Sequence, residues 1–206
     1  GNAAHGTPDF RQAQQARFAI LIQFCRLICR RAALADGIGH IGEQLGDQPL
    51  AVLDQRHEQM GLRVIEDICR HTDSKDPVAI MKKIILSPYI YMHGPEHHVL
   101  VGSALLAAYK NAGGELDLDA ALEEMRNRGA QVPGGICGLW GTCGAAVSTG
   151  IFVSLITGAS PLSGKEWGLC NEMTSRSLGA IAKTGGPRCC KRDSYTAILE
   201  AVDFVG

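Results

Sequence analysis

From Gly94 to Gly114 the chain reads Gly-Pro-Glu-His-His-Val-Leu-Val-Gly-Ser-Ala-Leu-Leu-Ala-Ala-Tyr-Lys-Asn-Ala-Gly-Gly. Gly94 and Pro95 open the stretch, and proline's fixed φ and missing amide suit a first helical turn. Gly113 and Gly114 close it, as glycine closes many helices. No strand-period alternation runs between these marks, so the pattern predicts a helix through Tyr109.

The same punctuation extends in both directions. Upstream, Asp76 and Pro77 start a helix that should end near Ser87, because Pro88 disfavours helical geometry in the residue before it. Gln48 to His71 reads as one helix, or as two with a break at Gly61. Phe10 to Ala35 carries apolar residues at spacings of three and four and stops at Gly37. Downstream, Asp117 or Asp119 caps a helix ending at Gly129, and the small-residue stretch from Thr142 to Thr157 reads as a buried helix ending at Gly158. Ser163 and Glu166 have capping-box spacing for a helix reaching Thr184. A last helix is expected from Pro187.

These elements give an all-α fold, a compact multi-helix bundle with a Gly/Cys-rich loop between helices. The expectation is a single helical domain over 1–206. Residues 1–87 form mainly scaffold helices, and 88–206 form the half that bears the functional Cys and His residues. Thirteen of the 25 glycines fall between Gly129 and Gly186, and five of the eight cysteines lie at or beyond Cys137, which is why the chemistry is expected there.

Composition narrows the function classes. The 206 residues are 46% apolar, enough for a real core, and 20 Lys and Arg balance 21 Asp and Glu. Phosphate binding normally needs a basic excess, so nucleic acid is not the expected partner. No apolar run reaches the roughly 18 to 20 residues that cross a bilayer, since Gln23, Arg26, Arg30 and Arg31 interrupt the best one. No membrane association is expected. The start, Gly1 to His5, shows no basic segment followed by an apolar core, so the expected setting is cytoplasmic, where cysteines stay reduced.

Three segments could carry chemistry. The first is Gly186-Pro-Arg-Cys189-Cys190-Lys-Arg192. With Pro187 as first helical residue, both cysteines would sit in a first turn, where free amides, the helix dipole and three flanking cations favour thiolate over thiol. Cys189 and Cys190 are therefore candidate nucleophiles or metal ligands.

The second segment, Cys137-Gly-Leu-Trp-Gly-Thr-Cys143, places five residues between its cysteines, too many for a zinc knuckle, yet a glycine-rich loop can still wrap a centre. Together Cys137, Cys143, Cys189 and Cys190 give four thiolates, enough for zinc or an iron–sulfur cluster. The third, His93-Gly-Pro-Glu96-His97-His98, puts His93 just before a helix and His97 in its first turn, where both could face one site as metal ligands. Glu96 would accept a proton or orient an imidazole. Cys25, Cys29 and Cys69 lie on apolar helix faces and read as core, and Cys170 as core or a fifth sulfur near the site.

The second half resembles an uncharacterised domain family found alone or attached to radical SAM and methyltransferase-like proteins of anaerobic prokaryotes. The residues carrying the resemblance are His93-Gly-Pro-Glu96-His97-His98, Ile136-Cys137-Gly-Leu-Trp140-Gly-Thr-Cys143, Met173-Thr-Ser-Arg176 and Gly186-Pro-Arg188-Cys189-Cys190-Lys-Arg192. Cys143-Gly144-Ala145, with Cys170 and Cys189 or Cys190, is also similar to small redox-active proteins defined by a Gly-Cys-Ala type turn and two later cysteines. The resemblance implies a helical domain with sulfur ligands and a radical SAM or methyltransferase-type enzyme as partner.

The resulting expectation is a cysteine-centred protein that binds a metal ion or iron–sulfur cluster, with zinc as the alternative, or runs thiol redox chemistry for a larger enzyme. Self-association into a homo-oligomer is left open. The competing expectation is a non-catalytic accessory domain that holds a small anionic ligand or a partner protein.

Overall fold

The chain divides into two units, Gly1–Gln48 and Pro49–Gly206. The computed structural model describes residues 50–205, within the second unit. The helix expected over Phe10 to Ala35, with Cys25 and Cys29, lies outside the described residues.

Among the described residues there are eight helices and no strand: α1 Leu50–Arg70, α2 Pro77–Ile85, α3 His97–Asn111, α4 Leu118–Gly129, α5 Ile136–Leu139, α6 Gly144–Thr157, α7 Lys165–Thr184 and α8 Cys190–Val205. The all-α expectation is met. None of these helices is long and apolar enough to cross a membrane.

Two of the predicted caps form as the sequence suggests. Asp76 accepts from the Val78 amide, with Pro77 as first helical residue of α2, and Asp117 accepts from the Ala120 amide at the start of α4. The predicted capping box does not form. Ser163 Oγ instead accepts from the Ser160 amide, and Gly164 occupies the cap of α7. α1 runs unbroken through Gly61, where a Cβ would stand 3.0 Å from the Tyr89 carbonyl, so the glycine serves the close approach of the loop before α3.

The core is centred on α3 and α6. Every residue of α3 from His97 to Ala108 is buried, and α6 packs chiefly on α3 and α7. Small residues set these contacts. A Cβ on Gly102 would run into the end of Met125 and stand 2.9 Å from the Ser148 carbonyl, while Gly150 lies against Thr174 on α7. Hydroxyls satisfied between helices reinforce them: the Gly102 amide donates to Ser148 Oγ at 2.9 Å, and Thr149 and Ser177 share a bond at 3.0 Å. Phe152, Leu100, Leu106, Met173 and Ile198 fill the space between. At the far side, Arg126 and Arg70 both pair with Glu66, clamping α4 to α1.

Candidate functional site: a thiol and imidazole cavity

Three helix starts meet at one end of the bundle. A cavity of about 360 Å³ there is lined by His97 and His98 of α3, Gly144 and Ala145 of α6, and Cys190 and Asp193 of α8. His93, Cys137, Cys143 and Arg188 also line it. Segments that are far apart in sequence thus bring three thiols and three imidazoles to one chamber. All six described cysteines are free thiols.

The last helix begins three residues later than expected. Its first residue is Cys190, and Cys189 stands at the cap, its carbonyl accepting from the Asp193 amide at 2.9 Å. The neighbouring cysteines therefore part company. Cys190 lines the cavity, whereas Cys189 is 6% exposed and lies outside the lining.

The expected lowering of the thiol pKa at this helix start is not met at Cys190. Burial pushes the Cys190 thiol up, and the facing Gly94 amide and Arg188 only partly offset it. Burial likewise takes Cys143 to about 11, against the opposing amides of Ala145 and Ala146. Two of the three cations meant to stabilise a thiolate are used elsewhere. Lys191 donates to the Ile85 carbonyl, and Arg192 is bound by the Gly185 and Pro187 carbonyls and by Asp193 Oδ1 at 3.0 Å. Desolvation then outweighs what remains of the favourable field. Asp193 is itself buried, and its carboxyl is raised by that burial despite Arg192 and the Cys189 amide.

The adjacent histidines of α3 differ in the same way. His97 is 1% exposed, and both of its nitrogens are committed. A carbonyl can only accept, so Nε2 carries the proton and donates to Tyr91 O at 2.9 Å, and Nδ1 accepts from the Ser194 hydroxyl at 2.9 Å. Burial holds its pKa down at about 4, so the ring is neutral. His97 fastens the loop before α3 to α8.

His98 is the imidazole with a nitrogen to spare. Its Nδ1 donates to the Val132 carbonyl at 3.1 Å, and burial lowers its pKa, leaving Nε2 as a bare lone pair on a ring that lines the cavity. The ring lies where a Cβ of residue 144 would be, which is why that position is glycine. A backbone carbonyl that fixes the tautomer in this way is the usual support of a metal-binding histidine. The sequence pattern points to His93 and His97 and holds His98 only as part of the motif. The signal that separates them, a loop carbonyl at Val132, is tertiary.

His93 is an exposed member of the lining, its pKa lowered by partial burial and by Arg188. Glu96 is outside the lining. Its carboxylate accepts from the Tyr91 amide at 3.2 Å, with its pKa raised by burial, and it occupies the space over Gly94, so it shapes the loop that carries His93. Cys170 lies near Ser154, Thr157 and Arg128, away from the cavity, and Cys69 is core, its thiol pushed up to about 12. Among the described residues no three His, Cys, Asp or Glu side chains are arranged to hold a single metal ion.

The profile of a family of unknown function, DUF5714, matches residues 65–206. The chain belongs to the DUF5714 family. All the lining residues fall inside the matched segment, so the cavity is a feature of the DUF5714 domain itself. No curated protein and no solved structure matches the chain.

Proposed function

We propose that this DUF5714 domain is an iron–sulfur-binding protein whose cluster is held by Cys137, Cys143 and Cys190, with His98 Nε2 on the remaining position and His93 at the rim. The carrying observation is the convergence of three free thiols and a tautomer-fixed imidazole on one cavity.

Size and spacing favour a cluster over a bare ion. Around one zinc, all ligands must come within about 2.3 Å of a single point. No three candidate side chains among the described residues do so. A [4Fe–4S] cluster bonds each ligand to a different iron, so its ligands stand apart. At about 30 Å³ per water, the cavity has the volume of about a dozen waters, far more than one ion needs. The raised thiols weigh against the thiol redox reading, because a neutral thiol attacks a disulfide poorly. On ligation these thiols give up their protons, so cluster uptake is coupled to proton release. Service to a radical SAM or methyltransferase-type enzyme follows from the sequence resemblance and is part of the same proposal.

Anaerobic purification followed by iron and acid-labile sulfide analysis tests it. Iron and sulfide in equal amounts, with visible charge-transfer absorption, are expected. Cys137→Ser, Cys143→Ser and Cys190→Ser should each lose them, while Cys189→Ser and Cys170→Ser retain them. Colourless protein with zinc, or metal-free protein, overturns the proposal.

A further inference from the structure

We propose that a second, larger cavity beside the thiol cavity is a binding site for a small organic anion with an apolar body. This cavity measures about 700 Å³ and lies between the α5 turn, the end of α7 and the start of α8. It shares Gly135, Cys137, Cys143, Arg188 and Asp193 with the first, so a molecule seated in it rests against the sulfur-bearing wall. Volume and position are those of a small-molecule site rather than a packing defect.

Three independent features define the ligand. The apolar body is specified by Leu139, Leu178, Ile181 and Ala182, of which Leu139 is 80% exposed and gains most from being covered. The charge is specified by Arg188. Arg192 is spent on Gly185, Pro187 and Asp193, whereas Arg188 has no hydrogen-bond or ion-pair partner among the described residues. A guanidinium presenting unused paired donors beside an apolar wall is matched by a carboxylate or a phosphate.

The third feature is room. Gly138 lies in the α5 turn without a left-handed φ, and a Cβ there would meet nothing within 4 Å. Neither backbone nor packing asks for glycine at this position, and alanine would favour the helix. Gly138 is one of the lining residues, so the missing side chain leaves that stretch of the wall low and open. The ligand's head at Arg188 then lies next to Cys137 and Cys143, and its tail runs along α7.

The inference does not depend on what the thiol cavity holds, and its test is read separately. Reduced full-length protein is titrated calorimetrically with octanoate, octyl phosphate and octanol, and iron content is measured in parallel. Octanoate or octyl phosphate should bind saturably, the tighter of the two identifying the head group, and octanol should bind more weakly. Arg188→Gln should weaken anion binding about tenfold, the loss of a charged hydrogen-bonded pair, and leave octanol unchanged. Gly138→Phe should abolish binding of all three without lowering the melting temperature. No saturable anion binding, octanol binding as tight as octanoate, or anion binding unaffected by either substitution overturns the inference, whatever the iron content.

Discussion

His98 hands its Nδ1 proton to the Val132 carbonyl at 3.1 Å, and its ring fills the space beside Gly144 that any other residue's Cβ would claim. The start of α6 is thereby fitted to one imidazole. Gly144→Ala should push the ring off this seat. Overpacking of this kind costs about 1–3 kcal/mol, visible as a lower melting temperature, and iron content should fall with it.

His97 makes stability depend on pH. Its folded pKa, about 4, lies below the ordinary value of 6.5, so the unfolded chain binds the proton more readily. The sign follows: its contribution is fully present above 6.5, is lost as pH falls from 6.5 towards 4, and levels off below. His93, His98 and Lys191 face the ring and oppose its protonation further. The loss amounts to about 3.5 kcal/mol at about 1.4 kcal/mol per pH unit. Urea denaturation across this range should show the slope, and His97→Gln should flatten it.

Gly102→Ala tests the approach of α3 to α6. Alanine gains about 1 kcal/mol in helix propensity. The end of Met125 can yield to the added methyl, but the Ser148 carbonyl, 2.9 Å away, belongs to a helix backbone and cannot. A net loss of about 1 kcal/mol is expected by chemical denaturation, within the range for overpacking after that gain is deducted.

The two ion pairs of α8 should differ. Asp193 is almost fully buried and bonds Arg192 Nε at 3.0 Å, so Asp193→Ala leaves that guanidinium only the Gly185 and Pro187 carbonyls and should cost about 2 kcal/mol. Asp203 pairs with Arg176 at 2.9 Å in the open, and Asp203→Ala should cost about 1 kcal/mol or less. Thermal melts of the two variants side by side make the comparison.

The sequence was most legible where one turn of chain decides the outcome. Asp76 and Asp117 cap helices because their partners lie two and three residues away. The sequence groups the sulfurs of Cys137, Cys143, Cys189 and Cys190 by their place in the glycine-rich half, and all but Cys189 line one cavity. What the sequence hid is decided at a distance. Whether His97 or His98 turns a free nitrogen to the cavity depends on the Tyr91 and Val132 carbonyls and on Ser194. Pro187 looked like a helix start, but Arg192 holds the Gly185 and Pro187 carbonyls in a loop and delays the helix to Cys190. The direction of the Cys190 thiol shift is hidden from the sequence for a related reason. Helix position and neighbouring cations can be read locally, whereas burial, which wins here, cannot.

Cys190 and Asp193 form one wall of the chamber, and Ser194 anchors His97 from 97 positions away. All three belong to the sixteen-residue helix that ends the described chain. During translation, therefore, Cys137 and Cys143 leave the ribosome into a half-built compartment. Only the docking of α8, a long-range event that follows their synthesis, turns three separate stretches of polypeptide into an enclosure.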